Sequence, residues 1–122
     1  MAYSENLETI SLLAGADLSA KQYYFVSANT DGEAVLAGDG APILGVLQNK
    51  PLENEPAQVG IGGVSKVVAG EAYAGDANLA SDANGKAVGA ATGDYIRGRA
   101  IGAPGAADVI GSIALVSQGR SA

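Results

Sequence analysis

The chain has 122 residues, a formal net charge of −6, 18 glycines, and no cysteine, histidine or tryptophan. Without Cys or His there is no disulfide, no thiolate nucleophile, and neither the usual general base nor the commonest transition-metal ligand. The acidic balance argues against a nucleic-acid surface, which needs clustered Lys and Arg, and no apolar run approaches the roughly 20 residues that span a bilayer.

This length fits one domain. Hydrophobic residues make up 48% of the chain, but many are alanine and there is a single Phe. Alanine buries little area, so a thin Val/Ile/Leu core is expected, and oligomerisation is a common remedy for one.

Taken in order, residues 1–14 read as a polar arm followed by a first short strand. The arm, 1–7, holds Tyr3, Glu5 and Asn6; Tyr3 has no core to enter, which makes the arm a candidate interface. Its start has neither the basic nor the apolar segment of a signal peptide, so the expectation is synthesis in the cytoplasm. Thr9-Ile10-Ser11-Leu12 alternates as a strand and Gly15 ends it, with a helix over 5–14 as the alternative.

Residues 15–118 form the expected β domain, and 119–122 a fraying tail. Strands are predicted over 21–27, 33–37, 42–48, 57–61, 64–69, 77–81, 86–90, 95–101 and 108–118. Gly62-Gly63 reads as a hairpin turn. Residues 49–56, with Pro51 and Pro56, and residues 102–107, with Pro104, read as exposed joints.

An internal repeat runs through this pattern, about 15–56 and 68–107. Ala28-Asn29-Thr30-Asp31-Gly32-Glu33-Ala34-Val35 returns 53 positions later as Ser81-Asp82-Ala83-Asn84-Gly85-Lys86-Ala87-Val88. At the same offset, Gly40, Ile43 and Gly45 fall on Gly93, Ile96 and Gly98. The Asp-Gly and Asn-Gly pairs supply the positive φ of tight turns. The fold class is therefore all-β: a small β-sandwich or β-barrel built from two related β units with an extended N-terminal arm.

The chemistry-bearing residue types have structural explanations. Asp17, Asp31, Asp39, Asp76, Asp82 and Asp94 sit in predicted turns, where Asp caps its own backbone. Asp82-Ala83-Asn84-Gly85 lacks the spaced ligands and distal Glu of an EF-hand. Gly60-Ile61-Gly62-Gly63 is followed by no Lys-Ser/Thr of a phosphate loop, and no serine has a histidine to activate it. No catalytic residue, cofactor or metal is expected. Arg97 and Arg99 share one face of a predicted strand, either solvated or set against an acidic neighbouring surface. Tyr23 and Tyr24 point to opposite faces, leaving one for the core and one, as Tyr24, for contact.

Four stretches carry a family resemblance: Gly40-Ala41-Pro42-Ile43-Leu44-Gly45-Val46-Leu47, Val67-Val68-Ala69-Gly70, Asp82-Ala83-Asn84-Gly85-Lys86-Ala87-Val88 and Gly93-Asp94-Tyr95-Ile96-Arg97-Gly98-Arg99-Ala100. Together, across about 15–117, they resemble the small capsid decoration (cement) proteins of tailed bacteriophages. The resemblance implies a compact β domain, commonly a homotrimer, that binds the outer surface of the expanded capsid and stabilises it by bridging major capsid protein subunits. It implies no enzyme activity and no nucleic-acid or membrane partner. It transfers no site residues, so Tyr3, Glu5, Asn6, Tyr24, Arg97 and Arg99 are interface candidates from the residues alone. The rival is a biotinyl- or lipoyl-like carrier presenting Lys86 in an exposed hairpin, although Lys86 lacks the flanks of such a site. A carboxylate-only glycosidase, the third reading, lacks aromatic platforms for sugar.

Overall fold

A computed structural model describes residues 4–120. Every regular element among them is a strand: β1 Glu5–Leu13, β2 Phe25–Ala28, β3 Ala34–Leu36, β4 Gly45–Leu47, β5 Pro56–Val68, β6 Asn78–Ser81, β7 Ala87–Gly89, β8 Tyr95–Ile101 and β9 Ile110–Arg120. They form one antiparallel sheet in the order β3-β2-β4-β5-β9-β8-β6-β7, with β1 paired to β5. Single parallel bridges, Ala14 to Ala34 and Ala69 to Ala87, curl the sheet back on itself at two places. The all-β class expected from the sequence is the fold observed.

The ladder repeats at the spacing of the sequence. Ala28 pairs with Ala34 and Val26 with Gly45; in the second unit Ser81 pairs with Ala87 and Leu79 with Gly98. The turns repeat too. The Asn29 side-chain oxygen accepts from the backbone N–H of Asp31 and Glu33 at 3.0 and 2.9 Å. The Asp82 carboxylate accepts from Asn84 and Lys86 at 2.8 and 2.9 Å. Each turn reverses at a glycine of positive φ, Gly32 at 76° and Gly85 at 80°.

The two units share β5. Gly60 pairs with both Thr9 and Val46, and Val64 with both Glu5 and Ala114. A strand has two edges, so β1 runs along one while β4 and β9 follow each other along the other. The predicted hairpin at Gly62-Gly63 is therefore not a turn: β5 continues through it, with an irregular register against β1, and changes partners there. Gly63, at φ 89°, lies where a Cβ would strike the carbonyls of Asn6 and Glu5 on β1.

Other boundaries also differ from expectation, among them the strand predicted over 42–48, which is only Gly45–Leu47, and the last strand, which begins at Ile110 and not at 108. The strand predicted over 21–27 begins only at Phe25, because Tyr23 has φ 70° and uses its backbone to tie units together. Its N–H donates to Leu47 at 2.7 Å and its carbonyl accepts from Val68 at 2.9 Å. The arm is extended, as expected, and from Glu5 onward it is a paired strand. Gly119 and Arg120, expected to fray, pair with Ile96 and Tyr95.

The core divides in two. Ala14, Leu18, Val26, Ala34, Leu47, Ala57 and Val59 fill the first unit, helped by Leu36 and Leu44. Val67, Leu79, Ala87, Ala100 and Ile113 line the second, and Phe25, Val46, Ala37 and Ile43 of the first unit complete it. Phe25 and Val46 neighbour Val26 and Leu47 on their strands and point the opposite way. The β2–β4 pair is thus buried on both faces and reads as continuous apolar sequence.

Candidate interaction surface

The second unit differs where it repeats the first. The counterparts of Phe25 and Val46 are Asn78 and Arg99, and both are exposed. The counterparts of Leu36 and Leu44, which pack against the first core, are Gly89 and Arg97. One face of the first unit is therefore covered by the second, whereas the matching face of the second is open.

The register defines that open face. Ile101 stands opposite Ser112, and Arg99 opposite Ala114. Lys66 also faces Ser112, and Val68 faces Ile110. Directly opposed residues and residues two apart share a face, so Arg99, Ile101, Ile110, Val68 and Lys66 lie together on the outside of β8, β9 and β5. Ile101 is 36% exposed and Ile110 43%. Beside them is a shallow cleft of about 130 Å³, lined in part by Ile101, Pro104, Val109 and Ile110. Val64, opposite Ala114, also faces Glu5, which puts that carboxylate at the far end of the row beginning with Arg99.

Lysines border the face. The Lys66 ammonium lies 5.6 Å from the centre of the Tyr23 ring. Lys21 and Lys86 lie 5.1 and 6.0 Å from that of Tyr24. These are cation–π distances, and the half-buried stems hold the charged heads in place. Lys86 also donates to Asp108 at 2.6 Å, and that hydrogen bond is the main reason its pKa lies above the ordinary lysine value. As the carrier reading needs a lysine that projects freely, this geometry does not favour it.

Arg97 has a different place. The edge of β5 shared by β4 and β9 has a gap between Gly60 and Gly63. Arg97 fills it, donating to the carbonyls of Ile61 at 2.7 Å and Leu44 at 3.2 Å, and to that of Val116. It sits at the register shift between Ile96 and Gly98. Half-buried, it has its pKa lowered by desolvation. Arg99 remains exposed, its Nε donating to the Asp76 carbonyl at 3.2 Å.

Of the other candidates, Tyr3 lies outside the described residues, and Glu5 and Asn6 are exposed on β1. Tyr24 is half-buried beneath its lysines. The structure thus gathers Glu5, Tyr24 and Arg99 on or beside one face and turns Arg97 to its own chain. Lys66, Ile101 and Ile110 were missed; comparing the repeats for polarity, Phe25 against Asn78 and Val46 against Arg99, is the signal that finds their face. Among the turn carboxylates, Asp17 has its pKa lowered by the Ser19 hydroxyl and then by the Ser19 N–H, which donates to it at 3.0 Å, and Asp94 accepts from Ala91 at 2.9 Å. Among the described residues no three His, Cys, Asp or Glu side chains are grouped to hold a metal.

No protein-family description matches this chain, and no curated protein matches it. Among solved structures it is similar to the N base of head fiber gp8.5 in bacteriophage phi29, with a TM-score of 0.70 over 90% of this chain and 94% of that one. The two sequences are 18% identical, and the likeness is one of fold.

Proposed function

We propose, from this shared fold, that the protein is a structural component of a phage head: a decoration protein that binds the outside of the expanded capsid and cements neighbouring major capsid protein subunits. The observation that carries the reading is that the likeness to a head-fiber base extends over nearly the whole of both chains. The motif resemblance to capsid decoration proteins points the same way independently of the coordinates.

The physical action is mass action. A protein that binds the assembled lattice but not dissociated subunits shifts the equilibrium toward the shell. A homotrimer engaging several subunits at once makes weak contacts effective through local concentration. The thin, alanine-rich core fits a small domain whose task is adhesion, with no substrate converted.

The test is sedimentation of purified protein with expanded capsids that lack it. Saturable co-sedimentation, with a raised temperature of shell disruption, is the expected result. Protein left in the supernatant at concentrations far above that of the lattice sites overturns the proposal.

A further inference from the structure

Resting on the capsid-binding reading, we propose that the open outer face of β5, β9 and β8 is the docking surface, and that its occupant is an acidic, apolar-centred surface on the capsid subunits. The matching face of the first unit shows what such a face does when covered: Phe25 and Val46 are both fully buried against the second unit. On the second unit that face carries apolar side chains at one end, Ile101, Ile110 and Val68, with cations, Arg99 and Lys66, around them. An apolar centre within a charged rim is the usual anatomy of a protein–protein contact.

Charge chooses the occupant. The chain carries 13 acidic and 7 basic residues. Four of those basic residues, Lys21, Lys66, Lys86 and Arg99, lie on or beside this one face, while Arg97 is committed to backbone carbonyls. The carboxylates among them include Asp108, bound to Lys86, Asp82, which also acts on Lys86, and Glu5 at the far edge. A cationic region on an otherwise acidic chain selects an acidic partner and repels the same face of a second copy, so a symmetric face-to-face dimer is disfavoured. The lysine heads resting over Tyr23 and Tyr24 are already ordered, which lowers the entropic cost of docking. The cleft between Ile101 and Val109 offers a recess for one side chain of the partner.

The experiment compares wild-type protein, the double variant Lys66→Glu/Arg99→Glu, and Lys50→Glu, a charge reversal on the exposed joint before β5, in saturation co-sedimentation with expanded capsids. The double variant is expected to bind about tenfold or more weakly, Lys50→Glu to bind as wild type, and wild-type affinity to fall as NaCl rises past physiological strength. Circular dichroism checks the fold of each variant; should the double variant not fold, Lys21→Glu and the salt titration carry the same test. Wild-type affinity in a folded double variant overturns the docking face and leaves the capsid reading standing. Absence of wild-type binding removes both. If sedimentation velocity shows that the double variant fails only because it no longer self-associates, the occupant is a second copy and the proposal is wrong.

Discussion

Arg97 donates its Nε–H to the carbonyl of Leu44, and the two residues hold the same place in the two repeats, 53 positions apart. Where the first unit uses a leucine to fill its own core, the second uses an arginine that closes the seam between β4 and β9. Truncating it strips donors from the carbonyls of Leu44, Ile61 and Val116. Arg97→Ala is expected to cost about 2 kcal/mol or more, read by urea denaturation. Arg97→Lys should recover only part of this, since an ammonium cannot reproduce the spread of a guanidinium fork. Equal stability of all three proteins would show that the seam does not depend on it.

Gly45 and Gly98 also share one place in the repeats, and each lies where strands come close. A Cβ on Gly45 would collide with the Gly60 carbonyl oxygen, and one on Gly98 with the Ile113 side chain. Both Gly→Ala changes should destabilise by about 1–3 kcal/mol. Ile113→Val should rescue neither, because Ile113 Cγ1 and the Ala114 carbonyl oxygen also crowd a Cβ on Gly98, and the obstacle at Gly45 is backbone. Gly119→Ala, with nothing within 4 Å, serves as the neutral control.

Phe25 is the largest side chain that the first unit lends to the core of the second. Phe25→Ala should cost about 3–5 kcal/mol, the range for emptying a buried aromatic site. Phe25→Asn, which installs the residue the second unit has there, should do at least as much damage by burying an amide. A loss under 1 kcal/mol in thermal or chemical denaturation would mean that the two cores are not joined through this ring.

The Tyr73 hydroxyl is buried with no hydrogen-bond partner among the described residues, and burial raises its pKa. Tyr73→Phe is expected to leave stability unchanged or raise it by about 1 kcal/mol. The sign of the pH effect follows from linkage. Above about 10 the unfolded tyrosine loses its proton while the folded one keeps it, so stability falls as pH rises toward the folded value. The wild type should lose stability more steeply than Tyr73→Phe in alkaline melts, and parallel curves would refute this.

Asn29 and Asp82 each organise one of the repeated turns through two backbone N–H groups. Replacing either with Ala should cost about 1 kcal/mol, by analogy with the loss of a helix cap. The two turns share no side-chain partner, so the double variant should show the sum. Strong coupling in a double-mutant cycle would point to a contact between the turns.

These turns were legible because their cause is local. Asn or Asp followed three residues later by Gly, before an Ala-Val step, folds back on itself whatever surrounds it, and repeating it exposes the duplication. The alternation from Tyr95 to Ile101 gave β8 with its bounds. The open face was half legible: Arg99 was among the candidates, while its partners across the ladder depend on registers that span many residues.

What the sequence by itself determined, then, is the all-β class, the two related units and the two repeated turns at Asn29 and Asp82, since φ preference and side-chain-to-backbone capping act over four or five residues. Only the tertiary structure decided that β5 runs through Gly62-Gly63 instead of turning, that Tyr23 leaves the strand to tie the units together, and that Arg97 turns inward while Arg99 faces out. Each of those outcomes rests on a backbone group satisfied by a partner far along the chain, and the residue's own neighbours carry no record of which partner that is.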